Sequence, residues 1–327
     1  MNIGITGASG FIGRHLVNLL TESDYNIKIL RRRDGGVLQI QDSKKIKVVY
    51  GDYLNPDSLK DFVSELDYLI HCGGVIKAVR KEDFIKGNFI STRNLVDAIN
   101  KYNKSLKRFI FLSSQSAQGP SIDKNNLRQE DDPPEPVSWY GKSKLMAENY
   151  IINHLEVPYT IFRPSSVYGE GDRETARFFK YAKAGLFPIP AGEKYINLIY
   201  VKDLINIIVK SLQSEVAEYK IYFVADGINY SLSEIAEFLK TLLKKKHYIT
   251  LKMPLIFMTP VFSITELFSR LIKKATMLNM DKLKELREKY WLGSTEKIEK
   301  ELGFKPQYDV YRGFPVVYKW YKENQWF

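Results

Sequence analysis

The chain opens on Asn2-Ile3-Gly4-Ile5-Thr6, an apolar run that ends in Gly7-Ala8-Ser9-Gly10-Phe11-Ile12-Gly13. Phe11, Ile12, Leu16, Leu19 and Leu20 then recur at helical spacing and share one face. The pattern is strand, glycine turn, helix. Glycines there let bare backbone approach an anion, and the positive end of the next helix meets a pyrophosphate. The spacing is one residue wider than the common dinucleotide fingerprint. The other reading is a glycine-rich connection that only turns the chain.

The same alternation continues. Nearly all-apolar runs predict strands over 26–30, 46–50, 67–71, 108–112 and 159–163, with helices over 58–66 and 81–102 between them. Such strands call for a parallel sheet covered on both faces, so the fold class is α/β with a doubly wound parallel sheet. After Pro164 the rhythm changes to Gly, Pro and aromatics. A helix over 203–212 and a strand over 221–224 read as a return to the main sheet. A nucleotide-binding domain over 1–165, with return elements near 200–225, is expected. A smaller C-terminal α/β domain, from 166–199 and 226–327, closes a substrate cleft. Ser231 and Glu234 form a capping box for a helix over 231–245. Pro315 breaks the last amphipathic pattern without a local reason.

Composition excludes little and redirects little. The 49 basic and 38 acidic side chains leave +11, yet no arginine-rich arm, zinc spacing or nucleic-acid module accompanies it. No nucleic-acid partner and no metal are expected. The single cysteine, Cys72, excludes an internal disulfide and fits a reducing compartment. The N-terminus lacks a basic region leading into an apolar one, so a cytoplasmic, unprocessed chain is expected.

Chemistry enters with Trp139-Tyr140-Gly141-Lys142-Ser143-Lys144. On a helix, Tyr140 and Lys144 lie one turn apart on one face. A phenol keeps its proton to pH ≈ 10, and a lysine charge beside it favours the phenolate. Such a Tyr can exchange a proton with an alcohol or ketone. The same spacing also occurs on solvated helices.

Together these stretches resemble the extended short-chain dehydrogenase/reductase family, which includes sugar-nucleotide epimerases and dehydratases. The resemblance rests on 6–13, Ser114 and 140–144. Gly51-Asp52, 71–74, Asn88 with Thr92 and Asn94-Leu95, Arg163-Pro164, 167–169, 200–204 and 302–306 add to it. It implies a Rossmann-type sheet and a Ser114-Tyr140-Lys144 site, with Ser116 as a substitute for Ser114. Tyr140 would be the general acid/base, and Lys144 would hold the nicotinamide ribose and lower the Tyr140 pKa. The cofactor would lie along Gly7, Ser9, Gly10, Phe11, Ile12, Gly13, Arg31, Arg32, Asp52, Tyr53, Cys72, Gly73, Asn88, Lys144, Pro164 and Val167. Asp52 would contact the adenine, or simply cap a turn. His71 and Cys72 read as structural, and Asn88 as a holder of backbone or water or an internally satisfied polar group. A homodimer is implied by the resemblance alone.

Arg31 stands where an NAD binder usually has an acidic residue, with Arg32 and Arg33 next and Asp34 only later, so NADP is preferred over NAD. Ser166 and Ile196 stand where the sugar-nucleotide branch places phosphate-binding Asn and Arg, and Asn197 or Arg173 are the possible replacements. Gln115 and Ser116, rather than acidic residues, follow Ser114, which argues against sugar dehydration. Arg163-Pro164 and the pattern around Trp291 look closer to reductases and hydroxysteroid-dehydrogenase-like members. The expected activity is alcohol–ketone oxidoreduction on a small-molecule substrate. A nucleotide-sugar epimerase with retained NAD is the alternative, and a non-catalytic dinucleotide-binding regulator is the rival of another class. Residues 251–271 are conspicuously apolar, with Lys244-Lys245-Lys246 before them and Lys273-Lys274 after them. They read as a packed cap helix, an apolar lid or a peripheral membrane contact.

Overall fold

The computed structural model describes residues 1–33 and 43–327, so Asp34 lies outside the described residues. The short apolar runs become β1 (Asn2–Thr6), β2 (Asn26–Arg31), β3 (Ile46–Tyr50), β4 (Tyr68–His71), β5 (Arg108–Leu112) and β6 (Tyr159–Pro164). With Lys220–Val224 they form a seven-stranded sheet. Its order is Lys220–Val224, β6, β5, β4, β1, β2, β3, and every pairing is parallel. The chain therefore returns to the main sheet at 220–224, as expected. The strand order reverses direction between β1 and β4, which opens a crevice at their carboxyl ends.

Burial on both faces explains why these strands are so apolar. In β5, Phe109 and Phe111 pack on one side with Leu95, Ile99 and Ile151, whereas Ile110 packs on the other with Ile3, Leu16 and Ile205. Successive strand residues point to opposite faces, so a strand buried on both is mostly apolar. Helix α1 (Phe11–Thr21) and the Val201–Ser211 helix cover one face. The Ser91–Tyr102 and Trp139–His154 helices cover the other.

Two helical expectations need correction. The region 81–102 is not one α-helix: Lys81–Phe84 and Ser91–Tyr102 are separated by a π-helical turn, Ile85–Ile90. A π-turn inserts one residue and re-aims the side chains it carries; Asn88 is one of them. The region 58–66 is a 3-10 turn, Pro56–Leu59, running into a single α-turn, Lys60–Val63. Pro315 does not break its helix, Val310–Glu323. The N–H that proline lacks would have served the carbonyl of Tyr311, an exposed residue open to water.

Beyond Pro164 the strands are short. Ser166–Tyr168 pairs with Leu198–Tyr200, Ile249–Met253 with Leu186–Pro190, and Tyr195–Ile196 with both Tyr230–Ser231 and Tyr290–Trp291. The Ser231–Glu234 capping box is present and starts the Leu232–Leu242 helix. The apolar stretch forms the Leu255–Leu271 helix, of which only Phe262 and Ser269 are buried. Its inward face carries the buried Phe262 together with Thr265, Glu266 and Ser269, which bond to the following segment, and most of its other apolar residues are exposed.

β6 is tied to the Trp139–His154 helix by a buried ion pair. Arg163 Nη2 lies 2.7 Å from Glu148 Oε2, with both side chains buried. Arg163 also donates to Gln118 Oε1 at 2.6 Å, and the Ser113 hydroxyl donates to Glu148. Removing one partner strands the other charge in a dry interior, at a cost of about 3–5 kcal/mol. Glu148→Ala should therefore lower the free energy of unfolding in urea by about that amount, and Glu148→Met with Arg163→Met should recover much of it. Equal loss in the single and double variants would contradict this account.

Candidate active site

A cleft of about 480 Å³ lies over the carboxyl ends of β1, β2 and β4. Its floor is the glycine turn. Gly7 has φ +73°, and a Cβ there would sit 2.6 Å from Gly73 N. A Cβ on Gly13 would meet Gly7 O at 2.1 Å, so α1 packs on the turn only because both are glycine. Gly10 is the N-cap of α1 and supplies no side-chain cap, which leaves the first-turn N–H groups facing an anion site.

The cleft wall opposite the turn is positioned by a buried hydrogen-bond chain. Thr92 donates its hydroxyl proton to Asn88 O at 2.6 Å, so it accepts from His71 Nε2 at 2.9 Å. His71 Nδ1 is then the acceptor for the Thr6 hydroxyl at 2.6 Å, and Thr6 Oγ1 accepts from Gly73 N at 3.1 Å. Burial, reinforced by the Lys144 charge, pushes the His71 pKa down to about 3. The imidazole is a neutral strut holding Cys72 and Gly73 against β1. Burial likewise pushes the Cys72 thiol up to about 12, so it stays protonated.

Of the residues named from the sequence, Gly7, Ser9, Gly10, Arg31, Arg32, Asp52, Tyr53, Cys72 and Gly73 line the cleft together. Asp52 accepts from Leu54 N at 2.9 Å, which is the turn role, and it also lines the cleft. Burial, opposed by Thr6, raises the Tyr53 phenol to about 12. Phe11, Ile12 and Gly13 open α1 beneath the turn. Pro164 ends β6, and Val167 packs in the apolar core. Ala8, Gly74, Val75, Asp83, Lys86 and Gly87 also line the cleft. Most of these lie after β4, where no local spacing marked them.

Asn88 joins the cleft to the Tyr140 helix. Its amide accepts from Val75 N at 2.7 Å and donates to Val75 O at 3.0 Å and to Ser143 Oγ at 2.9 Å. Ser143 in turn donates to Tyr140 O at 2.8 Å. Lys144 Nζ donates to Leu112 O at 2.7 Å and lies 4.6 Å from the Phe111 ring centroid. A Cβ on Gly74 would come within 3.5 Å of that nitrogen, so the ammonium sits at the inner end of the cleft. Burial lowers the Lys144 pKa to about 8, against the pull of Cys72 and Glu148.

Ser114 caps the short Gln115–Gln118 turn by accepting from Ser116 N at 3.1 Å. Its hydroxyl is also one of the groups that act on the Tyr140 phenol. Burial raises Tyr140 to about 12, the Ser114 hydroxyl pulls it down, and the Glu285 charge pushes it up. Lys144 stands one turn further along the same helix, and the hydrogen bond its Nζ makes is not to the phenol. The ammonium is turned toward β5 and its carbonyl instead.

The sequence also hid how Tyr140 is held from the far side. Asp281, on the Met280–Arg287 helix, accepts from Trp139 N at 2.7 Å and Tyr140 N at 3.2 Å. Glu285 accepts from Ser138 Oγ at 2.7 Å and Lys282 Nζ at 2.7 Å. Burial alone would raise the Glu285 pKa, but Lys282, Ser138 and Ser116 together hold it below the usual carboxylate range. A carboxylate at a helix N-terminus suits the macrodipole. Asn197, named as a phosphate ligand, is committed elsewhere. Its amide donates to Ile228 O and Asn229 Oδ1 at 2.8 Å and accepts from Gly293 N at 2.8 Å. Arg173 opens the Arg173–Ala184 helix and is exposed, Ser166 is exposed, and Ile196 is apolar.

The cradle fits a dinucleotide: two glycines that a Cβ would close, an uncapped helix start and a basic strand end. Among the described residues no group of His, Cys, Asp and Glu could hold a metal ion. A profile for the NAD dependent epimerase/dehydratase family matches residues 3–225. The chain is 25% identical to a ceramide reductase of Caulobacter vibrioides, over 99% of this chain and 95% of that protein. It is 28% identical to an N-acetyl-alpha-D-glucosaminyl-diphospho-ditrans,octacis-undecaprenol 4-epimerase of Escherichia coli O157:H7, over 75% of this chain and 73% of that protein. Among solved structures, a Thermotoga maritima UDP-glucose 4-epimerase superposes with a TM-score of 0.78, at 19% identity and over 99% of this chain and 100% of that one. The sheet, the glycine cradle and the span of the profile give one conclusion: the chain is an enzyme of the NAD dependent epimerase/dehydratase family.

Proposed function

We propose that the chain interconverts a secondary alcohol and a ketone, with Ser114, Tyr140 and Lys144 as its acid–base site. The observation that carries this is that Lys144, one turn beyond Tyr140 on the Trp139–His154 helix, reaches the inner end of the glycine cleft. A nicotinamide dinucleotide bound in the cleft supplies or accepts the hydride. Tyr140 gives a proton to, or takes one from, the substrate oxygen, and Ser114 orients that oxygen. Lys144 would hold the nicotinamide ribose, while Arg31 and Arg32 favour the extra phosphate of NADP. The substrate is a hydrophobic ketone rather than a sugar nucleotide. Asn197 is committed to internal hydrogen bonds, and one relative aligned along nearly the whole chain is a ceramide reductase. A homodimer through the helices bearing Asn88 and Tyr140, acting in the cytoplasm, belongs to the same proposal.

The second reading is a sugar epimerase, favoured by the Escherichia coli relative. An epimerase regenerates its cofactor in each cycle and need not release it. Mass spectrometry of dinucleotide freed by denaturing fresh protein separates the two. The reductase predicts empty protein that binds NADPH reversibly and more tightly than NADH. One equivalent of retained NAD would assign the epimerase and remove the case for Arg31.

Tyr140→Phe should lower kcat by about 10²–10⁴-fold with dinucleotide affinity unchanged. Unchanged turnover would overturn the assigned acid–base role. The Glu285 charge raises the Tyr140 pKa, so Glu285→Gln should lower it. In the reductive direction, where the phenol must be protonated, the alkaline fall in rate should move down by roughly one pH unit. In the oxidative direction the rising limb should move the same way. An unmoved profile in both directions would show that Glu285 acts only on packing.

A further inference from the structure

The Leu255–Leu271 helix is amphipathic in the inverted sense. Phe257, Val261, Ile264, Phe268 and Leu271 recur every three or four residues and are 48–70% exposed. They form an apolar stripe about 20 Å long facing away from the protein. Thr265, Glu266 and Ser269 lie on the inward face beside the buried Phe262, while Ser263 and Arg270 are exposed. Glu266 accepts from Met280 N at 2.7 Å, and the Ser269 hydroxyl donates to Lys274 O at 2.7 Å. The helix is thus fastened by its polar face with its apolar face outward. An exposed apolar patch of this extent marks an interaction surface.

Charge names the partner. Residues 244–274 hold seven Lys and Arg and a single acidic residue, Glu266, which is paired with Arg270 at 2.6 Å. Lys244, Lys246, Lys252, Lys273 and Lys274 are exposed at the two ends of the stripe. A second copy brought onto this face would set one cationic surface against another, whereas anionic headgroups pair with the lysines while the stripe enters the acyl boundary. Among the described residues no helix is long and apolar enough to cross a membrane, so the contact is peripheral. We infer that this helix docks the protein on a bilayer surface rich in anionic phospholipid. The next helix, Met280–Arg287, caps the Tyr140 helix through Asp281, so the docked face lies one helix from the proposed acid–base site.

The inference is independent of which reaction Tyr140 serves, and its test does not use turnover. Flotation of the full chain with phosphatidylcholine vesicles, with and without about 30% phosphatidylglycerol, measures it. Binding at least about tenfold tighter to the anionic vesicles is expected. Phe257→Glu with Phe268→Glu should abolish that binding, with the circular dichroism spectrum and dinucleotide binding unchanged. Wild-type protein that binds neither vesicle overturns the inference. So does a solution dimer that the double variant converts to monomer, which would assign the stripe to contact between copies.

Discussion

The parallel contact between β1 and β4 is the constraint on which the rest of the site depends. Its register sets Thr6 opposite His71. Only that pairing brings the Thr6 hydroxyl onto the imidazole, and through it ties the Gly73 amide to β1. Buried polar groups that find every partner fix one arrangement, whereas one lost bond leaves an unsatisfied group in a dry interior. The cleft wall is therefore set by the sheet and not by loop chemistry. His71 serves as a neutral strut for the same reason: with both nitrogens bonded and burial opposing its charge, it has no free position for a proton.

The second tie is the π-turn at Ile85–Ile90. Asn88 holds Val75 in the cleft wall and Ser143 between Tyr140 and Lys144. In a regular α-helix the extra residue would be absent and the residues on one side of it would rotate by about 100°. Through these tertiary bonds one side chain connects the glycine cleft to the Trp139–His154 helix.

The parallel sheet was legible because a strand buried on both faces is mostly apolar, and β5 and β6 are, apart from the partnered Arg108, Thr160 and Arg163. The glycine cradle was legible because Gly7 and Gly13 sit where no other residue fits. The π-turn was not, because apolar spacing over 81–102 is helical in either form and its cause lies in contacts with residues 75 and 143. Asp281 and Glu285 were hidden for the same reason: they reach Tyr140 and Ser138 across more than 140 positions. The Leu255–Leu271 helix shows the limit most plainly. Its composition announced apolar surface, but which face turns inward was decided by Thr265, Glu266 and Ser269 finding partners in the next segment.

The electrostatics at Tyr140 bear on direction. Burial holds its phenol near pKa 12, and Glu285 adds to the rise. At neutral pH the resting site then carries a proton ready to give and no phenolate ready to take one. A site so poised is set for donating to a ketone oxygen as negative charge develops there. Lys144, lowered to about 8 by burial, still carries its proton for most of the time at neutral pH. Its ammonium is spent on the Leu112 carbonyl at the cleft end rather than on the phenol. Taking a proton from an alcohol would require stabilising the phenolate against both burial and a carboxylate neighbour. Ser114 is the protein group that opposes the rise at Tyr140.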